Sequence, residues 1–169
     1  FLGARSCELH AVAIQDKVFM QGTHTDLHYQ ALRKNALFVA VNCGQAASTC
    51  FCVSMQTGPE VENGHDLVLT EVLDDKRHDF LIEAGSEAGK NILKEVKAKP
   101  AGEGDIKKTK EIIANTATQM GRKMDTENIK ELLYENLNHL NWDKIAERCL
   151  SCANCTMVCP TCFCSTVED

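Results

Sequence analysis

Ten cysteines, set in two groups, constrain this chain more than any other feature. Cys7, Cys43, Cys50 and Cys52 form the first group. Cys149, Cys152, Cys155, Cys159, Cys162 and Cys164 form the second, and residues 53–148 contain none. A chain so rich in thiols either crosslinks them or gives them to a metal. No secretory signal is legible in these residues, and in a reducing compartment clustered cysteines serve metals more often than disulfides. The expectation is a cytoplasmic metalloprotein.

The second group has a recognisable spacing. Cys149-x2-Cys152-x2-Cys155-x3-Cys159-Pro160 matches the bacterial ferredoxin run that ligates a [4Fe–4S] cluster. Thiolates are soft donors suited to iron–sulfur chemistry. Two-residue gaps let one tight loop reach three corners of a cubane. The short residues Ser151, Ala153 and Asn154 leave room for backbone N–H groups to approach the cluster sulfurs, one control of reduction potential. Structural zinc normally takes two separated ligand pairs, which this run does not resemble. One ambiguity stays open. In two-cluster ferredoxins the cysteine before proline serves the other cluster, so either a second motif lies beyond Asp169, or Cys159 closes the same cluster, or Cys162 or Cys164 takes a role.

The first group is irregular. Cys7 follows a strand-like start and opens a helix, where a helix N-terminus favours thiolate. Cys43 follows an apolar run, and Cys50 and Cys52 lie on the loop after it. Two readings stand side by side: a second, irregularly spaced cluster, or small buried hydrophobes, since cysteine packs well in cores. Thr49-Cys50-Phe51-Cys52 and Thr161-Cys162-Phe163-Cys164 repeat the same four residues, a weak hint that the two groups share local geometry. Arg5 reads either as a neutraliser of cluster charge or as a surface ion-pair partner.

Between the groups, hydrophobic periodicity sets out the fold. Phe1–Ala4 reads as the end of a strand, Cys7–Met20 as a helix, and Asp26–Asn35 as a helix capped by Asp26. Ala36–Val41 reads as a buried strand, with further strands at Leu67–Val72 and Phe80–Ala84 separated by a charged turn at 74–78. Ser86 N-caps a helix running from Glu87 to about Ala98. Pro100–Asp105 reads as a linker. Helices are expected at Ile106–Met120, with a stripe of Ile112, Ile113, Ala117 and Met120, then at Thr126–Leu140 and Trp142–Arg148. This predicts an α/β or α+β domain over 1–99, a linker at 100–105, and a helical segment with a partial ferredoxin-like module over 106–169. The methionines read as core filler.

Other function classes fare poorly. A net charge of −6 argues against nucleic acid as a partner. No apolar run approaches the roughly 20 residues needed to cross a bilayer, so no membrane insertion is expected. The six histidines show no ligand pairing, and no acid–base pair suggests catalysis by the isolated chain. Gly85-Ser86-Glu87-Ala88-Gly89 reads as an ordinary helix start rather than a phosphate loop. Phe1 stands where a Met would begin a complete chain, and the sequence stops just after the second cysteine group. Both ends read as cut from something longer.

Several stretches together resemble one family. Phe1-Leu2-Gly3-Ala4-Arg5-Ser6-Cys7-Glu8-Leu9 is similar to its F-x-G-x-R-x-C-D-L segment, with Glu8 where that pattern has Asp. Val39–Cys43, Thr49–Cys52, Met55-x-Thr57-Gly58-Pro59, Asp66-Leu67, Glu83–Glu87 and Cys149–Cys164 continue the likeness in order. The family joins the iron–sulfur beta subunit of cytoplasmic sulfhydrogenases with the corresponding iron–sulfur subunit of anaerobic sulfite reductase. The resemblance implies an electron relay between a flavin- and NAD(P)-binding partner and a catalytic subunit. It also implies a second ferredoxin motif further along. Two rivals are a Cys-x-Cys dithiol/disulfide reductase, using Cys50 and Cys52 or Cys162 and Cys164, and a zinc-stabilised interaction module.

Overall fold

The computed structural model describes residues 1–75, 77–159 and 162. Two compact units divide the chain, Phe1–Lys123 and Met124–Asp169. The first is built on a four-stranded mixed sheet in the order β1-β2-β3-β4. Its strands are β1 (Leu2–Ala4), β2 (Val39–Val41), β3 (Leu67–Asp74) and β4 (Arg77–Ala84). β1, β2 and β3 run parallel, and β4 closes an antiparallel hairpin on β3.

Parallel neighbours need crossovers. The first is helical: α1 (Ser6–Met20) and α2 (Leu27–Lys34) carry the chain from β1 to β2 and pack on one another. Both start where local chemistry dictates. Glu8 accepts the Arg5 N–H at 2.7 Å, and Asp26 accepts the Tyr29 N–H at 2.9 Å. The second crossover, residues 42–66, contains no helix or strand. The core of the unit is aliphatic around one ring: Leu9, Phe38, Ala40, Val61 and Val68, with Ala4, Val12 and Ala36 against it.

The apolar run from Ala36 gives a strand of three residues only. Phe38 stands at its edge: its carbonyl still accepts the Leu67 N–H at 3.2 Å, but its own N–H donates to the Asp66 carboxylate at 2.8 Å. The charged turn shrinks in the opposite direction. Pairing continues to Asp74 opposite Arg77, so both hairpin strands are longer than their apolar cores. α3 (Glu87–Glu95) begins at Ser86, whose hydroxyl accepts from Gly89 N–H at 3.0 Å and donates to Asp66 Oδ1 at 2.5 Å. Gly89 faces the Asp66 carbonyl so closely that a Cβ would overlap it. The start of α3 is thus capped by the Ser86 hydroxyl and closed off at Gly89 by the Asp66 backbone.

α4 (Glu103–Thr118) starts inside the stretch read as a linker and packs on β3 and β4. The first unit therefore runs to Lys123 rather than ending near residue 99. Its buried line is Thr109, Ile113 and Thr116. Thr116 is wholly buried because its hydroxyl bonds the Ile112 carbonyl at 2.9 Å.

Among the described residues, the second unit contains three short helices, α5 (Ile129–Glu135), α6 (Asn141–Ala146) and α7 (Asn154–Val158). The helix expected over Thr126–Leu140 is cut at both ends, with Asn128 left-handed at φ 52° and Asn136 ending it. Leu132, Leu133 and Leu137 stay exposed, and a helix without a packed face does not extend far in water. No described side chain of this unit is buried. Among the described residues no helix is long and apolar enough to cross a membrane.

Candidate metal centre

The ends of β1 and β2 place the first two thiols. In parallel sheets ligands gather beyond the carboxyl ends of the strands. Cys7 lies three residues past β1, in the first turn of α1, and Cys43 lies two residues past β2. Since β1 and β2 are hydrogen-bonded neighbours, the two cysteines leave the sheet on the same side. The irregular crossover then returns with Cys50 and Cys52.

Asn42 fixes this return. It is buried, its N–H donates to the Leu69 carbonyl at 2.9 Å, and its Nδ2 donates to Thr70 Oγ1 at 2.9 Å. Its Oδ1 accepts the Val61 N–H at 2.7 Å. One amide side chain therefore ties the far arm of the crossover to β3. Cys43 N–H donates to the Pro59 carbonyl at 3.3 Å, beside the cis Gly58–Pro59 bond. A Cβ on Gly58 would stand 3.3 Å from Ser6 Cβ and 3.4 Å from Cys52 Sγ, at φ 151°. The backbone thus passes close between the start of α1 and the Cys52 thiol, where glycine is the residue that fits.

The four thiols lie within electrostatic reach of one another. Burial pushes the Cys43 thiol up from its ordinary range. Arg5 draws it back, and Cys7, Cys52 and Cys50 push it up further. Burial also raises Cys52, with Cys7 and Cys50 adding to it, while N–H groups of Cys52 and Val53 bonded to its sulfur lower it. Cys7 is exposed, and Cys43, Cys50 and Cys52 are half-buried. None of the four is in a disulfide.

The grouping is looser than a single-ion site. Among the described residues no three His, Cys, Asp or Glu side chains are close enough to hold one metal ion. A tetrahedral zinc at ~2.3 Å from each sulfur would draw the thiolates to within about 4 Å of each other. In a cubane each thiolate takes a different iron, so its ligands stand farther apart. A donor set of four thiols, partly covered and approached by amide N–H groups, fits such a group in kind.

The second cysteine group lies in the second unit. Cys149 and Cys152 are exposed on the turn after α6, Cys155 lies on α7, and Cys159 ends that helix half-buried. Ser151 and Ala153 take left-handed backbone at φ 51° and 55°. The Ser151 N–H points to the Cys149 sulfur at 3.4 Å. Cys162 N–H donates to the Cys159 carbonyl at 3.2 Å, and Cys164 lies outside the described residues.

Two contributors escape a reading by residue type. Asn42 could have been noticed as a polar residue wedged between an apolar strand and a cysteine. Met120, counted as core filler on a helix stripe, places its sulfur 3.8 Å from Cys52 Sγ.

No family model matches the chain, and no solved structure does. Sulfhydrogenase 2 subunit beta of Pyrococcus furiosus is 33% identical over 169 residues, an alignment that takes in 99% of this chain and 48% of that protein. The chain spans about half the length of this curated relative. Over that half, the chain is similar in sequence to this sulfhydrogenase beta subunit along almost its whole length.

Proposed function

We propose that this chain is an iron–sulfur electron-relay segment of a sulfhydrogenase- or sulfite-reductase-type complex. In this reading Cys149, Cys152, Cys155 and Cys159 hold one [4Fe–4S] cluster within a ferredoxin-like helical module. Cys7, Cys43, Cys50 and Cys52 hold a second. Each cluster, when bound, carries one electron at a time. The chain's own part is to supply thiolates, fix their spacing, cover some from water and aim amide N–H groups at their sulfurs. Its partners are a flavin- and NAD(P)-binding subunit and a catalytic oxidoreductase subunit, and its compartment is the cytoplasm.

The observation that carries the reading is the gathering of Cys7, Cys43, Cys50 and Cys52 from three separate segments at one end of the parallel strands. The second unit adds support. Its described residues bury no side chain and form no apolar core among themselves, the pattern of small domains organised by a metal. The relative's name places that protein as a subunit of a sulfhydrogenase, which supports membership of a multi-subunit complex here.

Anaerobic purification, iron and sulfide analysis, and EPR of the dithionite-reduced protein test this. Two signals are expected, each worth about four iron. Cys52→Ser removes one and Cys152→Ser the other. A folded, colourless, iron-free protein overturns the reading.

A further inference from the structure

Three consecutive residues after α4 grip the loop that carries Cys50 and Cys52. Met120 lays its thioether against the Cys52 sulfur, Sδ to Sγ at 3.8 Å. Gly121 comes so close to the Ser48 carbonyl that any Cβ there would overlap it. Arg122 N–H donates to the Cys50 carbonyl at 3.0 Å. α4 is itself anchored by the buried Thr109, Ile113 and Thr116 and packs on β3 and β4. The contact therefore joins a rigid element to a crossover that has no helix or strand of its own.

From this geometry we propose that Met120 is a positioning residue that keeps the reduction potential of the N-terminal cysteine centre low, and that Gly121 and Arg122 hold the Cys50–Cys52 loop against it. The proposal rests on reading Cys7, Cys43, Cys50 and Cys52 as cluster ligands. Potential depends on burial and on hydrogen bonds to the ligand sulfurs. A thioether excludes water from a sulfur but has no hydrogen to donate. It therefore covers Cys52 without stabilising the extra negative charge of the reduced centre. The Cys52 and Val53 N–H groups already serve that sulfur from the opposite chemistry, as donors. Met120 limits how many further donors, from water, can join them.

The test is an EPR-monitored redox titration of the full chain, with the N-terminal signal assigned by its loss in Cys43→Ser. Met120→Ala admits water and raises the potential of that signal. Met120→Gln, which brings a donor, raises it as well. Met120→Leu, apolar and of similar size, leaves it near the wild-type value. In all three the iron content stays that of the wild type, and the signal removed by Cys152→Ser does not move. Gly121→Ala, which pushes the loop off α4, loses N-terminal iron while keeping the other signal. If Met120→Ala and Met120→Gln leave the potential where it was, with the N-terminal signal present, the proposal fails alone. If the wild type shows no signal sensitive to Cys43→Ser, the reading of those cysteines as ligands fails and takes this proposal with it.

Discussion

Asn42 spends both ends of its amide inside the fold, on Thr70 Oγ1 and on the Val61 N–H. Truncation to Ala would strand a buried hydroxyl and a buried amide together, at a cost on the order of 3 kcal/mol. Urea denaturation of Asn42→Ala should show that loss as a lower midpoint with little change in slope. Tyr29 offers a second test at this scale. Its hydroxyl donates to Asp16 Oδ1 at 2.8 Å, next to the Asp16–Arg33 ion pair. Burial, that hydrogen bond and the Asp16 charge push its pKa up to about 12, against a pull downward from Arg33. Between roughly pH 10 and that value the folded chain keeps a proton the unfolded chain has lost, so stability falls as pH rises. Tyr29→Phe should flatten this alkaline decline in urea titrations over the same window. Residue type alone made the cysteines legible as ligand candidates. It could not show what Asn42 and Met120 touch, because a polar residue after a strand and a methionine on a helix are both commonplace.

The caps hold this fold's elements in place. Ser86 bonds both the first turn of α3 and the carboxylate at the start of β3. Ser86→Ala should cost about 1–2 kcal/mol, read by thermal or urea unfolding, of which about 1 is the cap itself. The starts of α2 and α3 were legible because Asp26 and Ser86 are chemically suited to capping. β3 was legible from its apolar run, although its last two residues, Leu73 and Asp74, belong to a hairpin that cross-strand pairing extends. β2 was overextended because an apolar run does not reveal that Asp66 claims the Phe38 N–H. The helix expected over Thr126–Leu140 was overextended for a different reason. Its leucines have helical spacing but remain exposed, and periodicity marks a face without showing that anything covers it.

At the scale of the molecule, the chain's mixed sheet and surrounding helices agree with the α/β reading of its first half. The compact unit extends to Lys123 because α4 packs on β3 and β4, whereas Gly and Pro at 100–102 suggested a break. A chain ending after Lys123 should therefore unfold cooperatively and, prepared without oxygen, keep the iron that Cys52→Ser removes. Loss of a cooperative transition in urea would show that α4 does not complete the unit.

The route from β2 to β3 has a consequence for how the protein is made. As the nascent chain leaves the ribosome, β2 meets β1 at once but appears well before β3, its partner on the other edge, and parallel pairing across a long connection is slow. Most such connections contain a helix that forms on its own; residues 42–66 do not. If their thiols await iron, the supply of that metal sets how long the β3-facing edge of β2 stays bare. Cells starved of iron would then build this protein into inclusion bodies at the same rate of synthesis that yields soluble material in iron-replete ones.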